Sequence, residues 1–346
     1  MPHWHSPGGQ CPQEEQGPLP FQDDFGRAIH YLRVSVTDRC NLRCVYCMPP
    51  GGVAKQAHEH VLSYEEMALV IRAAAEIGIR KVRLTGGEPL VRLGLAEFVR
   101  MIAAIPGIDD LSMTTNATLL AGQARALADA GLHRVNISLD TLQPERFASM
   151  TRRGKIEDVW AGVEAARAAG LTPIKFNAVV IRGLNDDEIP ALAERTVTDG
   201  WHMRFIEWMP IGDTAGWAAG GAVPVAEIRA VIEQRFGPLQ PAPGPRGNGP
   251  ARYFRLSGAS GTIGFIGALS EHFCASCNRL RLTADGRLRP CLLAEQEIDL
   301  RPTLRAGGGL EAVRQLLAQA IQSKPACHHL DEAQVPQGRT MSQIGG

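Results

Sequence analysis

Six of the chain's eight cysteines fall into two groups of three. Cys40, Cys44 and Cys47 form C-x3-C-x2-C. A structural zinc site takes four protein ligands, so three thiolates leave it one short. They suit a cubane iron–sulfur cluster whose fourth iron has no protein ligand and stays open to a substrate or cosubstrate. On spacing alone, a zinc knob completed by a nearby histidine is the alternative. The second group is Cys274 and Cys277, as C-x2-C, with Cys291 after thirteen residues. Its plain reading is structural zinc, with His272 as a candidate fourth ligand. Arg279 and Arg281 follow closely and share one face if the segment is extended. A guanidinium pair beside a metal centre suits an anionic ligand such as a phosphate chain.

Two weaker signals lie between the groups. Thr85-Gly86-Gly87-Glu88-Pro89 would let backbone carbonyls approach a ligand, because glycine lacks a Cβ and proline fixes the turn. Alone, it is equally a strand-end turn. Lys175 sits in a stretch, Ile174 to Val180, that is otherwise apolar apart from Asn177. An inward lysine there needs an anionic partner.

The elements that must position these residues follow a strand–helix rhythm. Strands are expected at Tyr31 to Val36, Lys81 to Leu84, Leu111 to Thr114, Arg134 to Leu139, Ile174 to Val180 and Met203 to Trp208. Helices are expected at Tyr64 to Ile77, Leu95 to Ile105, Gly122 to Ala130, Ile156 to Ala169 and Asp187 to Val197. Ser63 and Glu66 form a capping box before the first. The class is α/β with a parallel sheet and right-handed crossovers. An incomplete β/α barrel and a doubly wound open sheet both satisfy the pattern. Either places functional groups at the C-terminal strand ends. After Gly212 the rhythm fades. Val225 to Phe236 reads as a helix, 241–250 as a flexible loop, and Arg252 to Leu256 with Thr262 to Ile266 as a hairpin. A polar tail begins at about Lys324.

Composition narrows the function classes. With 346 residues, 45% hydrophobic and 21% charged, the chain has enough apolar mass for a full core and is not of disordered type. Lys plus Arg and Asp plus Glu are both 36, which disfavours a general nucleic-acid binder but leaves room for a local phosphate site. There is no apolar run of about 18 residues for a membrane span. Residues 1–22 read as a disordered lead-in without signal-peptide character, and the expected compartment is the cytoplasm. Cysteine clusters there mean metal or redox chemistry more often than disulfides.

The C-x3-C-x2-C group with Tyr46 before its last cysteine, together with the Gly-Gly-Glu-Pro turn, resembles the radical S-adenosylmethionine (SAM) superfamily. Within it, the chain is similar to the GTP 3′,8-cyclases from about Asp23 to Gly346. The matching motifs are Asp23 to Pro49, Cys277 to Leu292 and the terminal Met341 to Gly346. The resemblance implies an incomplete (β/α)6 TIM-like barrel over 23–212. A C-terminal extension over 213–346 would carry a second Fe-S cluster, the GTP-binding region and the Gly-Gly tail. Cys40, Cys44 and Cys47 would hold one [4Fe-4S] cluster, and Cys274, Cys277 and Cys291 another. Tyr46, Gly87, Glu88, Ser138 and Met209 would bind SAM. Arg33, Arg83, Thr114, Lys175, Arg279, Leu280 and Arg281 would contact GTP, Leu280 through backbone alone. The first three cysteines with Arg279 and Arg281 make up the implied catalytic set.

The implied chemistry is reductive SAM cleavage. The resulting 5′-deoxyadenosyl radical takes hydrogen from ribose C3′ of GTP, and the carbon radical attacks guanine C8. One-electron reduction then gives (8S)-3′,8-cyclo-7,8-dihydroguanosine 5′-triphosphate. An external reductant would supply electrons and a cyclic pyranopterin monophosphate synthase would take the product. No nucleic acid or membrane partner is implied, and the chain would be a monomer or homodimer. In the family the terminal glycines enter the active site. A radical SAM peptide maturase with an auxiliary cluster and a non-catalytic zinc or iron–sulfur module are the rivals. Ala117 stands where the family commonly has glycine. Cys11 is assigned nothing, Cys327 is read as a free surface thiol, and His328 and His329 as tail packing.

Overall fold

The computed structural model describes residues 21–54, 56–212, 221–247, 249–328 and 338–345. Cys11, His329, Gly346 and all of the lead-in except Phe21 and Gln22 lie outside the described residues. Gln22 already pairs with Ala28 in an antiparallel bridge.

Six strands and their helices alternate: β1 (Tyr31–Ser35), α1 (Tyr64–Glu76), β2 (Lys81–Thr85), α2 (Leu95–Ala103), β3 (Asp110–Thr115), α3 (Ala124–Asp129), β4 (Arg134–Ser138), α4 (Pro144–Thr151), α5 (Ile156–Ala168), β5 (Lys175–Val180), α6 (Ile189–Thr198) and β6 (His202–Glu207). The capping box of α1 forms as expected. Ser63 Oγ accepts from the Glu66 amide at 3.1 Å, and Glu66 Oε2 accepts from the Ser63 amide at 2.7 Å. The short helix α4 has no counterpart in the sequence reading. Its apolar signal is thin, yet Pro144 opens it and Phe147 and Met150 bury against the core.

β1 to β6 are parallel and neighbour one another in chain order. A doubly wound sheet would reverse its order at a switch point. The structure therefore decides for the open β/α barrel. Buried parallel strands usually read as near-continuous apolar runs. Here each strand alternates instead. Leu32, Val34, Val82, Leu84, Val135, Ile137, Phe176, Met203 and Phe205 join the apolar core. The opposite parity carries Arg33, Arg83, Arg134, Asn136, Lys175, Asn177 and Arg204. Truncating one core residue, as in Ile137→Ala, costs about 2–5 kcal/mol. The inward parity is too polar to be packing.

The C-terminal region adds α7 (Val225–Phe236), β7 (Gln240–Pro241), β8 (Arg252–Arg255), β9 (Thr262–Ile266), β10 (Arg279–Leu282), β11 (Arg287–Arg289), β12 (Ile298–Asp299), α8 (Arg301–Arg305), α9 (Leu310–Gln322) and α10 (Met341–Ile344). β8 and β9 make the expected antiparallel hairpin. β9 also runs parallel to β6, and β10 runs parallel to β1. The C-terminal strands thus extend both edges of one twelve-stranded sheet. That pairing carries Arg279 and Arg281 to the flank of Tyr31 and Arg33.

Candidate active site

One cavity of about 300 Å³ opens inside the barrel, and both cysteine triads line it. The first triad sits on the loop after β1. Cys47 N donates to Cys44 O at 3.0 Å, closing a tight turn. Leu42 N donates to Cys40 Sγ at 3.4 Å. Burial, and next the charge of Glu88, push the Cys40 thiol up to about 12.

Tyr46, Gly87, Glu88, Ser138 and Met209 all line the same end of the cavity. Gly87 follows β2, Ser138 ends β4 and Met209 follows β6, so these groups do sit at C-terminal strand ends. A Cβ on Gly87 would stand 2.4 Å from the Arg39 carbonyl, so only glycine lets the cysteine loop cross there. Glu88 also braces the wall it lines. Its carboxylate accepts from Thr115 Oγ1 at 2.7 Å and from the amides of Asn116 and Leu90 at 2.7 and 3.1 Å. It pins the turns after β2 and β3, and burial lifts it to about 7. Tyr46 donates its hydroxyl to Asp140 Oδ2 at 2.5 Å, while Asp140 Oδ1 accepts from Val179 N at 2.8 Å. Burial raises Asp140 to about 6.

Deeper in the lumen the charge changes sign. Arg33, Arg83, Arg204, Arg279 and Arg281 all line the cavity. Burial first, then neighbouring guanidinium groups, lower Arg33 to about 10 and push Arg281 well below its ordinary value. Arg83 is buried, donates to Ser112 Oγ at 3.2 Å, and stacks 5.5 Å from the Tyr31 ring. Thr114 Oγ1 is buried and bonds to no protein group. Lys175 is the exception to the strand-end rule, because it opens β5 at the opposite end of the barrel. It does not line the cavity. Its ammonium donates to the carbonyls of Pro245, at 3.2 Å, and Arg246, in the loop expected to be flexible. Burial, with Arg204 and Arg134 next, drops it to about 6. Leu280 packs in the core between the two arginines and offers no side chain to the cavity.

The C-terminal segment reaches into this region. Arg339 pairs with Asp285 at 2.8 Å and with Glu297 at 2.7 Å, anchoring the approach. α10 follows with Ile344 buried. The Gly345 carbonyl then accepts from Arg281 at 2.7 Å and from Arg33 at 3.4 Å. Gly345 has φ +79°, and a Cβ there would stand 2.5 Å from Thr85 Oγ1. A side chain fails on both counts.

The second triad faces the cations. Burial opposes the Cys277 thiolate, but Arg279 and Lys324 overcome it and bring the thiol down to about 7. Leu293 N donates to Cys291 Sγ at 3.5 Å. Cys327 is exposed and is not part of the wall. His328 is buried and packs on His272 with ring centroids 4.5 Å apart. The tail expected from Lys324 is therefore buried at its start.

Sequence reasoning missed two groups. Arg204 is 2% exposed, and its Nε and Nη2 bond to no protein group. Its signal was the one that singled out Lys175: a cation at the inward parity of an apolar strand. Asp140, just past the end of β4, is the second, and no motif in the sequence marks it.

Residues 34–196 match the radical SAM superfamily, and residues 201–330 match Molybdenum Cofactor Synthesis C. A GTP 3′,8-cyclase of Pelotomaculum thermopropionicum is 54% identical over 326 residues, covering 94% of this chain and 100% of the relative. The chain belongs to the GTP 3′,8-cyclase family. A GTP 3′,8-cyclase of Moorella thermoacetica is 53% identical over 327 residues, covering 94% of this chain and 100% of its own. Streptococcus suis SuiB superposes with a TM-score of 0.61 at 14% identity, covering 86% of this chain and 66% of the SuiB chain. That likeness speaks to the fold alone.

The family implies SAM and iron–sulfur clusters, and the donor chemistry fits them. Each triad presents three sulfurs to one cavity, with N–H groups aimed at Cys40 and Cys291. Amide-to-sulfur bonds of this kind stabilise cluster thiolates. Along the same cavity, Asn177 Oδ1, Thr114 Oγ1 and Nε and Nη2 of Arg204 are buried without protein partners. Such groups are costly unless a ligand satisfies them.

Proposed function

We propose that this chain is a radical GTP 3′,8-cyclase, converting GTP to (8S)-3′,8-cyclo-7,8-dihydroguanosine 5′-triphosphate in molybdenum cofactor biosynthesis. The observation that carries the reading is the set of five arginines that line one cavity with both cysteine triads, three of them, Arg83, Arg204 and Arg281, buried. A triphosphate carries about four negative charges and needs several fixed cations in a partly desolvated site.

Cys40, Cys44 and Cys47 would hold the SAM-binding cluster, with Tyr46, Gly87, Ser138 and Met209 around SAM. Cys274, Cys277 and Cys291 would hold the second cluster. When bound, these groups supply a 5′-deoxyadenosyl radical and an open iron for the guanine base. The protein's part is placement. Arg33, Arg83, Arg204, Arg279 and Arg281 neutralise the phosphate chain and fix its path along the lumen. Thr114 adds a hydroxyl. Lys175 meets phosphate after exchanging its bonds to the 245–246 carbonyls. Asp140 fixes the Tyr46 ring. Gly345 holds two guanidinium groups and, with α10, helps keep water out. No helix among the described residues is long and apolar enough to cross a membrane. A cytoplasmic setting, an external one-electron reductant and a downstream cyclic pyranopterin monophosphate synthase complete the proposal.

The test is anaerobic reconstitution followed by measurement of 5′-deoxyadenosine from SAM, with and without GTP. Strong stimulation by GTP, together with the cyclised product, is expected. Cleavage indifferent to GTP would move the substrate to a peptide or another molecule. No cleavage from protein carrying both clusters would overturn the catalytic reading.

A further inference from the structure

The segment Lys324-Pro325-Ala326-Cys327-His328 leaves α9 and folds back over the second cysteine triad. Lys324 is 3% exposed. Its Nζ donates to the Arg279 carbonyl at 3.0 Å and to the Pro290 carbonyl at 2.6 Å. Arg279 lies two residues after Cys277, and Pro290 lies one before Cys291. One ammonium therefore ties together the two turns that carry the triad. The same ammonium is hydrogen-bonded to Cys277 Sγ. Four residues on, the His328 amide donates to Cys274 Sγ. The segment is held in turn from the far end of the chain. Arg27, fixed by Asp23 at 2.6 Å, donates to the carbonyls of Cys274, Pro325 and Ala326 at 2.9, 2.7 and 3.0 Å.

A cluster's reduction potential follows its net charge, its exposure and the hydrogen bonds to its sulfurs. A fixed cation bonded to a ligating sulfur stabilises the reduced form, which carries one more negative charge, more than the oxidised form. A buried lysine shared between two carbonyls and a sulfur has few other conformations, so its charge cannot swing away. An apolar side chain of similar length would keep the packing and remove both the clamp and the charge.

We propose that Lys324 is a positioning residue for the second iron–sulfur cluster, locking the two cysteine turns together and raising the potential at which that cluster takes up an electron. This rests on the reading that Cys274, Cys277 and Cys291 hold a cluster. The experiment uses full-length protein with Cys40, Cys44 and Cys47 replaced by alanine, so that only the second cluster loads. After anaerobic reconstitution, iron and sulfide are counted, and reduction by dithionite is followed by electron paramagnetic resonance. Lys324→Met is expected to load iron but to shift the potential negative by at least 59 mV, a tenfold change for one electron. Lys324→Arg is expected to recover more than half of the shift. Full loading of Lys324→Met with an unchanged potential overturns the proposal. If Lys324→Met loads poorly, the same substitution is made with all six cysteines present. Loss of the second cluster alone, with the thermal midpoint retained, supports the clamp. Loss of both clusters and of stability makes Lys324 a general structural residue and overturns it. A parent protein that holds no cluster at all overturns the underlying assignment instead.

Discussion

Cys40, Cys44 and Cys47 share one short loop, whereas the second triad is divided between two turns that Lys324 ties together and that Arg27 reaches from 247 residues away. Their electrostatic settings differ as well. Burial and Glu88 push Cys40 up to about 12, and Asp140 lies behind Tyr46. Around the second triad, Arg279 and Lys324 bring Cys277 down to about 7 against the cost of burial. Two carboxyl groups at one end, both raised by burial, and a crowd of guanidinium groups at the other give one cavity two electrostatic halves. A ligand with a sulfonium centre and a ligand with a triphosphate would each be accepted at one end and repelled at the other. Charge, more than shape, would then keep the two from exchanging places in an open barrel.

The largest test of this division removes one sulfur from each side. Cys47→Ser is expected to abolish 5′-deoxyadenosine formation, with a loss beyond 100-fold. Cys291→Ser is expected to retain SAM binding and to lose cyclisation. Product and 5′-deoxyadenosine, quantified together by mass spectrometry, separate the two. Retention of cyclised product by Cys291→Ser would end the assignment of distinct roles.

The cation end comes next. Arg204 has two donors without protein partners, and a hydrogen bond to a charged group is worth about 1.5–3 kcal/mol. Arg204→Ala is therefore expected to weaken GTP binding roughly 100-fold while leaving SAM binding unchanged. Equal weakening of both ligands would blur the division. Lys175 gives the pH dependence. In the free protein it is uncharged above about 6. A bound phosphate raises that value, so binding takes up a proton. Affinity should be flat below about pH 6 and fall as pH rises, by no more than tenfold per unit. Calorimetry at pH 7.5 in buffers of different ionisation enthalpy measures the uptake. Lys175→Met should reduce it by most of one proton relative to the parent.

The two ends also differ in how far they could be read from sequence. The first triad and the Gly-Gly-Glu-Pro turn are short-range patterns, and the structure brings them together as read. The strand–helix rhythm was legible because each outward parity is apolar. The choice between barrel and doubly wound sheet was not, because strand order is a long-range property. The pairing of β10 with β1 was hidden for the same reason, as was the burial of Lys324, whose carbonyl partners lie on other segments. Arg204 was legible in principle: counting inward parity along β6 reaches it, as it reached Lys175 along β5. Glu88 shows the converse. Its motif marked it as a ligand group, while its oxygens are taken up by Thr115, Asn116 and Leu90.

The smallest effect is expected behind the first triad. Ala117 holds φ +64°, a left-handed conformation that costs a non-glycine residue about 1–2 kcal/mol. Ala117→Gly would remove that strain. It would also remove a buried methyl worth about 0.8 kcal/mol and add unfolded-state entropy worth about 0.4–1 kcal/mol. The terms nearly offset, so the change in unfolding free energy should stay within about 0.5 kcal/mol, read from denaturant titration. Iron loading of the first triad should not change, because Asn116, which reaches Cys40 Sγ and Asn41 from the same turn, keeps its backbone. A gain above about 1.5 kcal/mol would mean that the methyl contributes nothing where it packs beside Gly162. A matching loss would mean that the turn is relaxed with alanine in place. Either result would show that the local construction of this end tolerates sequence change for reasons other than the balance of strain and packing.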